Sequence, residues 1–193
     1  MTYIEDFIAN NTYEYVDFKK ISKEEQEMIW NWRNHDSIRK WMFNKKYIEL
    51  KEHLNFLSGL KHRNDKKYWL VKRKGEAVGV STLINIVDAS GEWGYYLAPE
   101  MHERNISVEF YFYTLYYIFT ELKMKEVYGY EKPENKNANS LNTLFGFSEN
   151  VETKRIGEEI QDVVFRNLPY NQWESNLVSN RRIERFLRLT QEY

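Results

Sequence analysis

Trp93-Gly94-Tyr95-Tyr96-Leu97-Ala98-Pro99-Glu100-Met101-His102-Glu103-Arg104-Asn105-Ile106-Ser107-Val108-Glu109-Phe110 is the stretch whose reading decides the fold. It reads as a β-strand that passes through a short loop into the start of a helix. In such a layout the free backbone N–H groups and the positive end of the helix dipole converge on one place and suit an anion such as a phosphate. The glycines that usually let a backbone wrap an anion are missing from this loop.

The rest of the chain sets bounds around that segment. With 193 residues, 42% of them hydrophobic and 30% charged, it has the size and composition of one globular domain with a good core. No apolar run approaches the length of a membrane span, and Met-Thr-Tyr-Ile-Glu-Asp at the start has no signal-peptide pattern. The expectation is a cytoplasmic protein that meets no membrane. The absence of cysteine excludes disulfides, a thiol nucleophile and a thiolate metal site. Four scattered histidines give no metal-ligand spacing, so no metal is expected. Net charge is −1 with no basic stripe, which argues against nucleic acid as a partner. Aromatic residues make up 17% of the chain. They read either as core or as walls of a groove for a base or a sugar ring.

Element signals run the whole length. Residues 1–20 read as an irregular arm leading into a strand over Tyr13–Lys19. Ser22 and Glu25 form a capping-box pattern that opens a helix over 23–34, and Leu50, Leu54, Leu57 and Leu60 place a second helix over 49–61. Strands follow at Tyr68–Lys72 and Ala77–Ile86, joined by the turn Arg73-Lys74-Gly75-Glu76. The strand at 91–98 precedes an aromatic helix over Ser107–Leu122. A strand at Val127–Glu131, a short helix over Ala138–Leu144 ended by Gly146, and strands near 147–156 and 159–168 complete a core of about 13–170. An amphipathic helix over 180–190 adds a C-terminal extension, which either caps the domain or mediates a homodimer. One mixed α/β domain is expected.

This order of elements resembles the GNAT superfamily of N-acetyltransferases. Its fold is a mixed, mostly antiparallel sheet of about seven strands flanked by helices. Gly91–Pro99 resembles the family's central strand, with Gly94 at its bulge. Asn135, Ala138, Leu141, Gly146 and Phe147 match the family's Asn-x-x-Ala/Ser…Gly-Phe pattern in spacing. The resemblance implies acetyl-CoA as co-substrate, lying where the central strand diverges from the next one. It implies coenzyme contacts from Tyr96, Leu97, Ala98, Arg104, Asn105, Ile106, Ser107, Asn135 and Asn137.

A second resemblance narrows the acceptor. Trp32-Arg33-Asn34-His35, Trp41-Met42-Phe43 and Ile48–Leu57 are similar to the GNAT branch that acetylates amino sugars carried on nucleoside diphosphates, of the pseudaminic acid pathway type. Carried over, Arg33 and His53 bind the diphosphate, and Met42, Phe43, Phe56 and Tyr96 line the base and sugar pocket. An arginine offers a planar fork to phosphate oxygens, which suits the role. Arg33 near a helix end reads equally as a cap for carbonyls, and His53, on one helix side with Leu50, Phe56 and Leu57, reads equally as a buried structural histidine.

Acetyl transfer needs a neutral amine, a polarised thioester carbonyl and help for the departing thiolate. Glu92 is the first candidate base, because Gly94 and Tyr96 share its strand face. Glu131, at the end of the next strand, is the second. Each also reads as a surface carboxylate paired with lysine. The family's thiolate tyrosine falls on Asn142, which can donate a hydrogen bond but not a proton. Asn142 then only stabilises the thiolate, or Tyr130 takes the role, or the thiolate leaves unprotonated. In the loop, the family's Gln/Arg-x-x-Gly-x-Gly/Ala falls on His102–Ser107, with Asn105 and Ser107 in place of the glycines. Asn tolerates left-handed backbone and Ser caps helices, so the pattern is compatible with a retained anion cradle, with Arg104 adding charge. The expected function is N-acetylation of a UDP- or dTDP-linked amino-dideoxysugar in bacterial surface glycan or O-antigen synthesis. Two alternatives stand beside it: a GNAT acting on a protein N-terminus or an antibiotic amine, and a non-catalytic GNAT-fold binding protein. Binding of acetyl-CoA separates catalyst from non-catalyst.

Overall fold

Trp69, Leu70 and Val71 are consecutive and almost fully buried, so the strand that carries them is covered on both faces. In a computed structural model, which describes residues 3–156 and 159–190, that strand is the second of seven among the described residues. In chain order the elements are α1 (Tyr3–Ala9), β1 (Tyr13–Asp17), α2 (Lys23–Asn34), α3 (Asp36–Arg39), α4 (Leu50–Leu60), β2 (Lys66–Arg73), β3 (Glu76–Val87) and β4 (Ser90–Leu97). They continue with α5 (Ser107–Tyr116), β5 (Glu126–Glu131), α6 (Lys136–Leu144), β6 (Ser148–Ile156), β7 (Glu159–Pro169), α7 (Tyr170–Ser179) and α8 (Arg181–Thr190).

Two compact units share these elements. Residues 12–87 and 92–104 form one, with strand order β1-β2-β3-β4 and antiparallel pairing of β1 with β2 and of β2 with β3. The expected turn joins β2 to β3, with Lys74 at φ 51° and Gly75 at φ 80°. Positive φ at both central residues matches the twist of a two-residue hairpin. Ser22 caps α2 through the predicted box: its hydroxyl accepts from the Glu25 N–H at 3.2 Å, and Glu25 Oε2 accepts from the Ser22 N–H at 2.8 Å.

The other unit comprises the described part of residues 1–11, 88–91 and 105–193, with antiparallel order β5-β7-β6. Its core is aromatic. Phe110, Tyr111 and Phe112 on α5 have no exposed surface and Tyr113 only 2%, so for these rings the core reading is the right one. α5 ends in a turn of π-helix over Tyr117–Glu121, within the range expected for the helix.

Two helices correct the sequence reading here. The expected irregular arm is the helix α1, held by Phe7, which stacks on Tyr113 at 4.8 Å and meets Phe112 edge-on at 5.4 Å, while the Tyr113 hydroxyl donates to the Phe7 carbonyl at 2.6 Å. A helix this short owes its existence to such packing rather than to propensity. The C-terminal extension is likewise two helices, because α7 starts after Pro169 and buries Trp173 against Phe119 at 5.1 Å. The first strand is also shorter than expected, ending at Asp17 rather than Lys19.

Gly146 closes α6 at φ +86°, and a Cβ there would stand 3.0 Å from Asn176 Cγ. Gly146→Ala therefore meets both left-handed backbone strain and a clash. We expect a loss of about 2 kcal/mol in stability by denaturant melts; an unchanged midpoint contradicts the strain.

Candidate active site

Glu92, Gly94 and Tyr96 alternate onto one face of β4. The same face is populated across the neighbouring strands. Tyr68 on β2 lies opposite Thr82 on β3, and the Thr82 hydroxyl donates to the Gly94 carbonyl at 3.2 Å. A Cβ at Gly94 would stand 3.0 Å from that hydroxyl, which is why a small residue is needed. Phe56 of α4 meets Tyr68 edge-on at 5.1 Å. Burial, reinforced by the Glu92 charge, holds the Tyr68 hydroxyl above the ordinary tyrosine value. Phe56, Tyr68 and Glu92 thus gather in one neighbourhood. Glu92 Oε2 accepts from Asn85 Nδ2 at 3.1 Å, so its partner is an amide and not a lysine.

Arg33, in the last turn of α2, reaches the same face. Its Nη2 donates to the Asn44 carbonyl at 3.1 Å, while Nη1 is buried with no hydrogen-bond partner. Burial lowers its pKa, Arg39 adds to that, and Tyr96 opposes it. Tyr96 is pushed up by burial, with Arg33 working against the rise. Arg33 and Tyr96 are therefore electrostatic neighbours, and the guanidinium has donor capacity left for an anion. Asn34, which sequence reasoning passed over, fixes the segment that follows. Its Nδ2 donates to the Ile48 carbonyl at 2.9 Å and its Oδ1 accepts from the Ile48 N–H at 2.8 Å. That clamp closes the loop carrying half-buried Met42 and Phe43.

His53 is 6% exposed, and its Nε2 lies 3.0 Å from the Gln26 carbonyl. Nε2 must carry the proton to donate there, so Nδ1 is bare in the neutral ring. Burial lowers its pKa against the pull of that carbonyl. Only the imidazolium form offers an N–H to a phosphate from Nδ1.

In the loop, Arg104 Nη1 pairs with Glu76 at 2.9 Å, both side chains being about half exposed. Exposed pairs of this kind contribute about 0–1 kcal/mol, so a stronger anion displaces Glu76 readily. Two expectations are corrected. Asn105 does not adopt positive φ, and Ser107 is the first residue of α5 rather than its cap. The cap position is Ile106, at φ −98° and ψ −5°, with no side chain capping the helix. Ile106 therefore offers the first turn only its backbone carbonyl, which accepts from the Phe110 N–H at 2.8 Å. Leu97 and Ala98 lead into a 3-10 turn at Pro99–Met101, and the Ala98 N–H is spent on the Val78 carbonyl at 2.9 Å.

In the second unit, Glu131, Asn142 and Arg166 share a polar cluster. Arg166 is 4% exposed, and its Nε donates to Glu131 Oε1 at 2.7 Å, its Nη1 pairs with Glu149 at 2.7 Å, and its Nη2 donates to Asn139 Oδ1 at 3.3 Å. Asn142 Nδ2 donates to Glu131 Oε2 at 2.9 Å. The amide oxygen of Asn142 accepts from the hydroxyl of Tyr111, a residue no sequence signal picked out. Burial raises the Glu131 pKa, opposed by the bonds from Arg166 and Asn142. Tyr130 alternates to the opposite face from Glu131, beside Phe165 at 5.3 Å and under the Lys154 ammonium at 3.3 Å. Asn135 caps α6 by accepting from the Ala138 N–H at 3.4 Å, and Asn137 is exposed on the first turn. Among the described residues no cluster of three or more acidic or histidine side chains suits a metal, and no helix is long and apolar enough to cross a membrane.

Comparison with known proteins agrees with this architecture. The family described as acetyltransferase (GNAT) domain matches residues 16–148. The acetyltransferase PseH of Campylobacter jejuni serotype O:23/36 is 33% identical over 124 residues, 64% of this chain and 77% of that protein. PseH of serotype O:2 is 36% identical over 84 residues, 44% of this chain and 53% of that one. The crystal structure of C. jejuni N-acetyltransferase PseH with acetyl coenzyme A matches at a TM-score of 0.66 and 26% identity, over 82% of this chain and 99% of that one. A Vibrio cholerae spermidine N-acetyltransferase matches at 0.73 but only 22% identity, over 84% of this chain and 98% of that one, a likeness of fold. The mixed α/β fold and the family expected from sequence are both borne out: the chain belongs to the GNAT acetyltransferases.

Proposed function

We propose that the protein moves an acetyl group from acetyl-CoA to the amino group of a nucleoside-diphosphate-linked amino sugar, a UDP- or dTDP-linked amino-dideoxysugar destined for a bacterial surface glycan. The observation that carries this reading is Arg33. A guanidinium with one nitrogen buried, unpartnered and beside Tyr96 asks for an anionic ligand. Relatedness to PseH, an N-acetyltransferase solved with acetyl coenzyme A, supports the acetyl donor. The resemblance of the Trp32–His35, Trp41–Phe43 and Ile48–Leu57 motifs to the nucleotide-sugar branch supports the acceptor. A polyamine acceptor fits this face less well, because a buried guanidinium repels a polycation.

The roles then distribute as follows. Arg33 takes a diphosphate oxygen, while Met42, Phe43, Phe56 and Tyr96 flank the base and sugar. Glu92 removes the amine proton, directly or through water, as nitrogen attacks the thioester carbon. Backbone near Tyr96 and Leu97, the N–H groups of Asn105, Ile106 and Ser107, and the Arg104 side chain receive the coenzyme. The C–S bond breaks, its electron pair stays on sulfur, and Asn142 donates a hydrogen bond to that sulfur. Asn135 positions α6 through its cap, and Asn137 offers an exposed amide to the coenzyme.

A thiol-release assay across UDP- and dTDP-linked amino sugars tests the reading, and no release with any of them contradicts it. Arg33→Ala should raise KM for the sugar nucleotide about tenfold or more while KM for acetyl-CoA moves less than about twofold. Equal changes in both constants count against a phosphate role. Glu92→Gln should cut kcat at neutral pH by about a hundredfold or more, and an unaltered rate removes Glu92 as the base. His53 sets a pH dependence of stability. Its folded pKa lies below the ordinary value of about 6.5, so the unfolded chain binds the proton more readily. Its contribution is complete above about pH 6.5 and is lost as pH falls through the folded value. Thermal melts should show that decline, and His53→Gln should flatten it; an identical slope in the variant contradicts the assignment.

A further inference from the structure

We infer that Tyr111 is a positioning residue for acetyl transfer, which acts by holding the Asn142 amide as an oriented donor to the leaving thiolate. The inference rests on the acetyltransferase reading above and adds to it a residue and a device. Asn142 is 8% exposed, and its amide is fixed from two sides. The Glu131 carboxylate can only accept, so the NH2 edge must face it, as it does at 2.9 Å. The carbonyl edge then faces the Tyr111 hydroxyl, which donates to it. A flipped amide would set oxygen against carboxylate, and this excludes the alternative orientation.

Arg166 completes the device from behind. Its Nε donates to Glu131 Oε1 at 2.7 Å and so favours the carboxylate form, against the burial that raises the Glu131 pKa. Both Glu131 oxygens are thereby occupied, by Arg166 and by Asn142, so Glu131 orients rather than abstracts a proton. An amide nitrogen has two hydrogens. One goes to Glu131, and the second remains for sulfur. Donation from Tyr111 into the amide oxygen polarises the group and strengthens its N–H as a donor. No proton leaves Asn142 or Tyr111. The departing sulfur keeps the bonding pair as a thiolate and takes its proton from solvent afterwards. The device explains how an asparagine serves where the family carries a tyrosine: the tyrosine hydroxyl comes from α5 instead and works one bond further back.

The test titrates the thiol of CoA bound to the intact protein, read by the ultraviolet absorbance of its thiolate. Tyr111→Phe removes one oxygen and keeps the ring, which stacks on Phe145 at 4.6 Å, so packing is preserved. Asn142→Ala is the second variant. Both should raise the bound thiol's pKa by about one unit, a tenfold loss of thiolate, and the double variant should be no worse than Asn142→Ala alone. In acetyl transfer, Tyr111→Phe should lower kcat about tenfold with KM for acetyl-CoA unchanged. A thiol that titrates alike in wild type and variants, or additive losses in the double variant, overturns the role of Tyr111. Failure of the wild type to bind CoA overturns the acetyltransferase reading itself.

Discussion

A guanidinium withdrawn from water must find its charges and acceptors inside the protein, and Arg166 finds them on three elements at once. Glu131 comes from β5, Glu149 from β6 and Asn139 from α6. Removing one partner of so buried a pair costs about 3–5 kcal/mol, because the remaining charge has nowhere to go. The arrangement thus fixes where α6 lies on the sheet of its unit. That in turn sets Asn142 against Glu131 and Tyr111. The polar cluster and the fold of this unit are a single constraint seen at two scales.

The other unit solves a different problem, that of presenting a charged and aromatic face without wasting it on internal partners. Strand alternation sends Trp93 and Tyr95 to one side, where they stack at 5.1 Å and the Trp93 indole N–H donates to Ser81 at 3.1 Å. It sends Glu92, Gly94 and Tyr96 to the other. The buried polar and apolar needs of β4 are met on the first side, and the second is left with an unpaired guanidinium nitrogen and a carboxylate held only by an amide. Unspent donor capacity of this kind is costly in a purely structural face and useful in a binding one.

The sequence carried the elements whose cause is local. Ser22 and Glu25 cap α2 as their spacing requires, Lys74 and Gly75 make the hairpin, and Asn135 and Gly146 bracket α6. It did not carry elements whose cause is distant. α1 exists because Phe7 finds Tyr113, more than a hundred positions along the chain, and nothing near Phe7 announces it. α7 left no such local signal: its cap position is Pro169, which has no side-chain acceptor to offer the first turn. In the site, Arg33 and Tyr96 were legible as a pattern, but the Asn34 clamp on Ile48 and the hydroxyl of Tyr111 were not. Tyr111 sits in an aromatic run where every ring reads as core, and only its hydroxyl partner distinguishes it. The loop shows the limit of analogy by residue type: Asn105 tolerates left-handed backbone, yet this chain reaches α5 without using it.

The central claim is that this glycine-poor loop and the uncapped start of α5 still serve a coenzyme. Calorimetric titration of acetyl-CoA into the folded protein tests it most directly. The account predicts saturable one-to-one binding with a dissociation constant of micromolar order, about −8 kcal/mol, weakened by salt as the charged pyrophosphate contact is screened. A folded protein that gives no heat of binding contradicts it.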